Sequence, residues 1–211
     1  MNKRIQTRSE EVANSVTHGV ALVGAMAYSP FLVISASHQS LSSLVGVAVF
    51  CVTMILLYLT SALYHVLPIG DGKRAFLKLD HSAIFLFIAG SYTPFSLGAL
   101  HGPWGWTLLI LVWSLACLGI VLKATERLSH PWLSTGMYLA MGWLVLVAVV
   151  PLLQNVALAG VLWLVAGGLA YSVGVVFFVF DHRIPYAHAV WHGFVVAGTS
   201  CHAIAVMGYA N

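Results

Sequence analysis

The sequence predicts an all-α integral membrane protein of seven transmembrane helices, with the N-terminus cytoplasmic and the C-terminus outside. Three observations carry that prediction. First, 7% of the residues are charged and 60% are hydrophobic, against about 25% charged in soluble domains. Second, residues 12–70, 81–122, 128–180 and 184–211 contain no Lys, Arg, Asp or Glu. A spanning helix needs about 20 apolar residues, so each of the first three stretches accommodates two spans and the last accommodates one. Third, the Lys and Arg residues fall only in alternate connections, the asymmetry that orients membrane helices. A soluble helical bundle would place charges on its outward faces every third or fourth residue; these stretches have none.

In chain order, the first span covers about 16–36. It follows Lys3, Arg4 and Arg8 and lacks a small-x-small cleavage site, so it reads as an uncleaved span rather than a signal peptide. Ser37, His38, Gln39 and Ser40 make a polar break before span two, 43–66. Lys73, Arg74 and Lys78 precede span three, 79–98, and His101, Gly102 and Pro103 turn the chain into span four, 104–123. Lys123 and Arg127 close that span. Spans five and six, 134–153 and 157–180, are divided by the stretch from Pro151 through Gln154 and Asn155, and Arg183 precedes span seven, 188–209. All the basic residues then lie on one side, which the positive-inside rule makes cytoplasmic. The short connections leave a single membrane domain over 1–211, and an odd span count argues against a simple transporter-style duplication. Gly167, Gly168 and Gly174 suit close helix packing. Cys51, Cys117 and Cys201 fall in separate spans and read as small apolar fillers. The +3 net charge is spread over connections, so no nucleic-acid surface is expected.

Few polar residues interrupt the spans, and this topology gathers them. His188 and His192 are four residues apart at the start of span seven, on one helix face. Ser61 and His65 repeat that spacing near the cytoplasmic end of span two, and Asp80 stands in the first turn of span three. Three segments thus place polar side chains at one depth, a few ångströms into the inner leaflet at about 1.5 Å rise per residue. An ionisable group there costs roughly 2.5–3.5 kcal/mol on the insertion scale and normally faces a partner or a wet cavity. Three imidazoles suit a catalytic zinc site, which takes three protein ligands and leaves a position open. His65, His188 and His192 would be the ligands. Asp80 would serve as general base or orient a ligand, and Ser61 would hydrogen-bond Asp80 or a substrate carbonyl. Against this stands the plainer use of histidines within spans, hydrogen bonding between helices. Glu11, Asn14 and His18 lie about one turn apart and either present a polar face to the site or cap the first helix. His202 lies about 15 Å along the helix from His192, too far to share its ligand set. His38, His101 and His130 fall in loops, and His81 points away from Asp80 around the helix.

The combination Ser61-x-x-x-His65, Asp80 and His188-x-x-x-His192 resembles the signature of the hemolysin III family, the bacterial branch of the progestin and adiponectin receptor superfamily, grouped more broadly with alkaline ceramidases. The run from Glu10 and Glu11 through Asn14 and Thr17 to His18 and Gly19 is similar too. So are Leu79, Asp80 and His81 with Gly90 through Pro94, and Arg183 through Gly193. The resemblance spans essentially the whole chain. It implies seven spans, a zinc ion on His65, His188 and His192, and Asp80 and Ser61 as associated polar residues. It further implies hydrolysis of a lipid amide or ester, with membrane lipids as partners, in the bacterial cytoplasmic membrane and in the service of membrane homeostasis. Two rivals stand beside hydrolysis: a pore-forming cytolysin, as the family name suggests, and a non-catalytic sensor with structural zinc. A pore requires polar lining through both leaflets, and the outer half offers only Ser91, Thr93, Thr199, Ser200 and His202.

Overall fold

The computed structural model describes residue 4, residues 6–128 and residues 130–210; Lys3, assigned to the cytoplasmic side, lies outside them. The described chain is helical throughout: α1 (Arg8–Ser37), α2 (Leu41–Val66), α3 (Asp71–Leu97), α4 (Pro103–Ala124), α5 (Pro131–Gly142), a 3₁₀ segment (Leu144–Ala148), α6 (Val149–Asn155), α7 (Leu158–Val179) and α8 (Ala187–Tyr209). Among the described residues, six helices have the length and apolarity to cross a membrane, α5 and α6 counting together as Pro131–Asn155. α3 is as long as these, but Asp80, His81 and its hydroxyl-bearing second half lower its hydropathy. Large apolar side chains face outward, among them Val20 and Phe31 of α1, Ile110 of α4 and Leu162 of α7. In water such a surface would aggregate; in lipid it needs no cover. The chain is a helical integral membrane protein.

α1 and α3 begin about eight residues before their expected spans. The start of α1 is set by a capping box, in which Thr7 accepts from the Glu10 N–H and Glu10 reaches back to the Thr7 N–H. This satisfies two of the N–H groups that a helix start leaves orphaned. The larger departure is in the fifth span, expected as one continuous helix and found as two with a 3₁₀ turn between. Pro151 explains part of it: it has no N–H for the carbonyl four residues back and its ring crowds that carbonyl, and α6 starts two residues before it. Tyr92 of α3 supplies the rest. Its hydroxyl donates toward the carbonyls of Met141 and Gly142 at 2.8 and 2.9 Å and accepts from the Val145 N–H at 2.9 Å. Backbone groups freed at membrane depth must find such partners.

Helices α1 to α4 pack as consecutive neighbours, α7 packs on α8, and α8 returns against α1. α5 touches α3, α4 and α7 only lightly, which leaves a void inside the ring. Close approaches between helices are made over glycine. A Cβ on Gly90 of α3 would overlap the Thr53 side chain of α2, and one on Gly119 of α4 would overlap the ring of Phe85. Small residues at such crossings let helices gain packing that lipid does not otherwise drive. Gly90→Ala should therefore force α2 and α3 apart and cost about 1–3 kcal/mol, the usual penalty of overpacking. A lowered thermal midpoint in detergent is the expected readout.

The basic residues Arg4, Lys73 and Lys78 share one end of the bundle. Lys73 bonds the carbonyls of Tyr64 and Leu67 at the end of α2 and pairs with Glu11 at 3.0 Å. Lys78 pairs with Glu126 at 2.7 Å and holds that carboxyl below its ordinary range. Arg4 clasps Glu10 and reaches the Asp181 carbonyl at 3.4 Å, while Glu10 accepts from the Tyr186 N–H at 3.0 Å. Tyr186 adopts φ 60, a left-handed conformation that a bulky residue adopts only under constraint. The Glu10 contact holds it there, and α8 starts at the next residue.

Candidate metal centre

At that same end, α2, α3 and α8 bring five of the candidate residues together and α1 closes over them. Ser61 and His65 occupy the last turns of α2, His188 and His192 the first turns of α8, and Asp80 the inner part of α3. All five are buried. The ring centroids of His65, His188 and His192 are 4.8 to 5.1 Å apart pairwise, and one ligand nitrogen from each lies within 4.8 Å of the others.

The hydrogen bonds show which ring nitrogens are free to bind an ion. His65 Nδ1 lies 2.7 Å from Glu11 Oε2, His188 Nδ1 3.0 Å from Asp181 Oδ2, and His192 Nδ1 3.2 Å from the Asn14 carbonyl. Each partner only accepts, so each Nδ1 carries the proton and each Nε2 keeps its lone pair. The amide nitrogen of Asn14 also approaches His65 Nδ1, at 3.4 Å, but it is itself a donor and the nearer carboxylate decides the tautomer. The three Nε2 atoms are buried with no hydrogen-bond partner. Buried polar atoms left unsatisfied are rare and costly, and three in one place fit a cation better than they fit helix-to-helix hydrogen bonding. Imidazole ligands whose second nitrogen donates to a carboxylate or carbonyl are the usual arrangement at zinc.

Asp80 lies near the Ser61 hydroxyl and within electrostatic reach of His188. It also lines a cavity of about 210 Å³ together with His18, Ile84, Phe87, Trp143 and Trp191. An apolar cavity of about 150 Å³ already admits a benzene ring, so this one has room for a small apolar group.

The first helix contributes more than its sequence promised. Thr7 and Glu10 cap it, which leaves Glu11 to His65 and the Asn14 carbonyl to His192; His18 stacks on His192 with centroids 3.6 Å apart. Asp181 was missed in the sequence. The available signal was an acid seven residues ahead of His188 in a chain with very few acids. Elsewhere, His202 bonds the Leu164 carbonyl at 3.3 Å, well away from the cluster. Removal of a carboxylate that holds a metal-ligating imidazole typically lowers metal affinity 10–100-fold. Glu11→Ala should show about that loss in a zinc competition titration, with folding unchanged.

Apolar helices closed around a buried three-histidine cluster define a polytopic membrane protein with a candidate metal site. Comparison with known proteins makes this specific. The family described as "Haemolysin-III related" matches residues 6–203, and the chain belongs to that family. It is 42% identical over 210 residues to Hemolysin-3 of Bacillus cereus, covering 99% of this chain and 95% of that one. It is 43% identical over 204 residues to the Hemolysin-3 homolog of Bacillus subtilis (strain 168), covering 96% and 95%. The Monocyte to macrophage differentiation factor of Homo sapiens is 29% identical over 213 residues, covering 95% of this chain and 84% of that protein. That reach into animal proteins fits the wider superfamily.

Proposed function

We propose that the chain is a zinc-dependent hydrolase of lipid amide or ester bonds in the bacterial cytoplasmic membrane, serving membrane homeostasis. It would span the membrane seven times, with α3 as the third span, the N-terminus cytoplasmic and the C-terminus outside. One observation carries the reading: three unpartnered Nε2 atoms converge beside a buried carboxylate that also faces an apolar cavity. His65, His188 and His192 would hold the ion. When bound, zinc lowers the pKa of a coordinated water to about 7 and polarises a carbonyl, which is what hydrolysis requires. Asp80 would accept the proton of the attacking water, with the Ser61 hydroxyl orienting its carboxylate. The cavity would hold the acyl chain, and its aromatic and aliphatic walls would keep bulk water from the reaction.

Purified protein should carry about one zinc per chain and turn over fluorogenic lipid amides or esters in mixed micelles. Absence of zinc, or zinc without turnover on either bond type, would count against the reading. The names of the bacterial relatives point instead to lysis. The hydroxyls of Ser91, Thr93, Thr199 and Ser200 all donate to carbonyls of their own helices, which makes them a poor lining for a water path. Bilayer conductance that persists after loss of His188 and His192 would favour a pore.

A further inference from the structure

Among the described residues, His18 alone has both ring nitrogens buried without a hydrogen-bond partner. It is 2% exposed, lies nearly parallel to His192 at an interplanar angle of 9°, and makes a T-shaped contact with Tyr58 at 5.1 Å between centroids. Stacking on His192 covers a face of the ring but gives its nitrogens no hydrogen-bond partner. A neutral imidazole has one N–H to give and one lone pair to fill, and native structures seldom bury both unmet.

His18 adjoins the three-histidine cluster, yet the compact set of ligand nitrogens does not extend to it. A fourth ligand is thus disfavoured. His18 also borders the same cavity as Asp80, so it stands where the cluster meets the space a substrate would enter. We propose that His18 is a positioning residue: its ring N–H donates a hydrogen bond to the oxygen ligand that completes the three-histidine site. That ligand is a water molecule or the oxygen of a carbonyl-like group. Asp80, an acceptor, and His18, a donor, then address the bound group with complementary hydrogen bonds. Stacking on His192 holds the donor in register with the ligands. The inference rests on the reading that the three histidines bind a metal.

The test uses the full-length protein loaded with cobalt(II), whose visible absorption reports coordination, and acetohydroxamate as the oxygen-donor probe. Wild type is compared with His18→Phe, which keeps a flat ring to stack, and His18→Gln, which restores a side-chain N–H. All three should bind about one cobalt per chain and unfold at similar temperatures. Acetohydroxamate should bind about tenfold more weakly to His18→Phe, the loss expected for one hydrogen bond, and His18→Gln should recover most of that affinity. His18→Leu makes the same comparison if the phenylalanine variant does not fold. Equal hydroxamate affinity in wild type and His18→Phe would overturn the proposal, leaving His18 a packing residue. Loss of cobalt from folded His18→Phe would also overturn it, by making His18 a ligand. A folded wild type that takes up no cobalt would instead sink the metal reading itself.

Discussion

Replacing His192 by alanine should empty the metal centre. Zinc content should fall from about one per chain in the wild type to near zero. The affinity should drop by more than the 10–100-fold typical of losing a supporting contact, because two imidazoles are left to hold the ion. His192 is wholly buried, and its Nδ1 is tied to the Asn14 carbonyl, so the substitution also opens a void against α1. His188→Ala, whose ring lies nearer the bundle end and bonds Asp181, provides the control. Both variants should lose metal, whereas the damage to thermal stability should be greater for His192. Zinc measured on folded, monodisperse protein checks the prediction. A His192 variant that keeps stoichiometric zinc would refute the three-histidine site.

Asp80→Asn should separate binding from chemistry. Asparagine keeps the size of the side chain and an oxygen for the Ser61 hydroxyl, but its amide does not take up a proton at neutral pH. Positioned general bases contribute about 10²–10⁴-fold to rate, so turnover of a lipid amide or ester should fall by that order while zinc content holds. Activity and metal must be measured on the same preparation. If zinc disappears together with activity, Asp80 supports the site rather than the reaction. If neither changes, the carboxylate is structural and the hydrolase reading loses its base.

How much of this was legible in the chain differs from element to element. The i, i+4 pairs Ser61 with His65 and His188 with His192 announce shared helix faces, because helical periodicity is local. The parity of the spans then predicts that the ends of α2, α3 and α8 lie together. The broken fifth span was not legible. Pro151 hints at a weakness, but the 3₁₀ turn persists because Tyr92, far away in sequence, satisfies the freed backbone groups. Asp181 was equally hidden. Its place seven residues ahead of His188 was only a faint mark, and the turn that ends at Tyr186 is what brings it within 3.0 Å.

Composition and patterning alone fixed the apolar, helical character of this chain. Apolar length and the exclusion of charge act residue by residue, so they can be read without knowing any neighbour. Only the tertiary structure decided which nitrogen of each histidine is free, that α1 supplies Glu11 and the Asn14 carbonyl to the cluster, and that a cavity lies beside Asp80. Those outcomes depend on hydrogen bonds and packing between segments up to 178 residues apart. No local pattern encodes such distances.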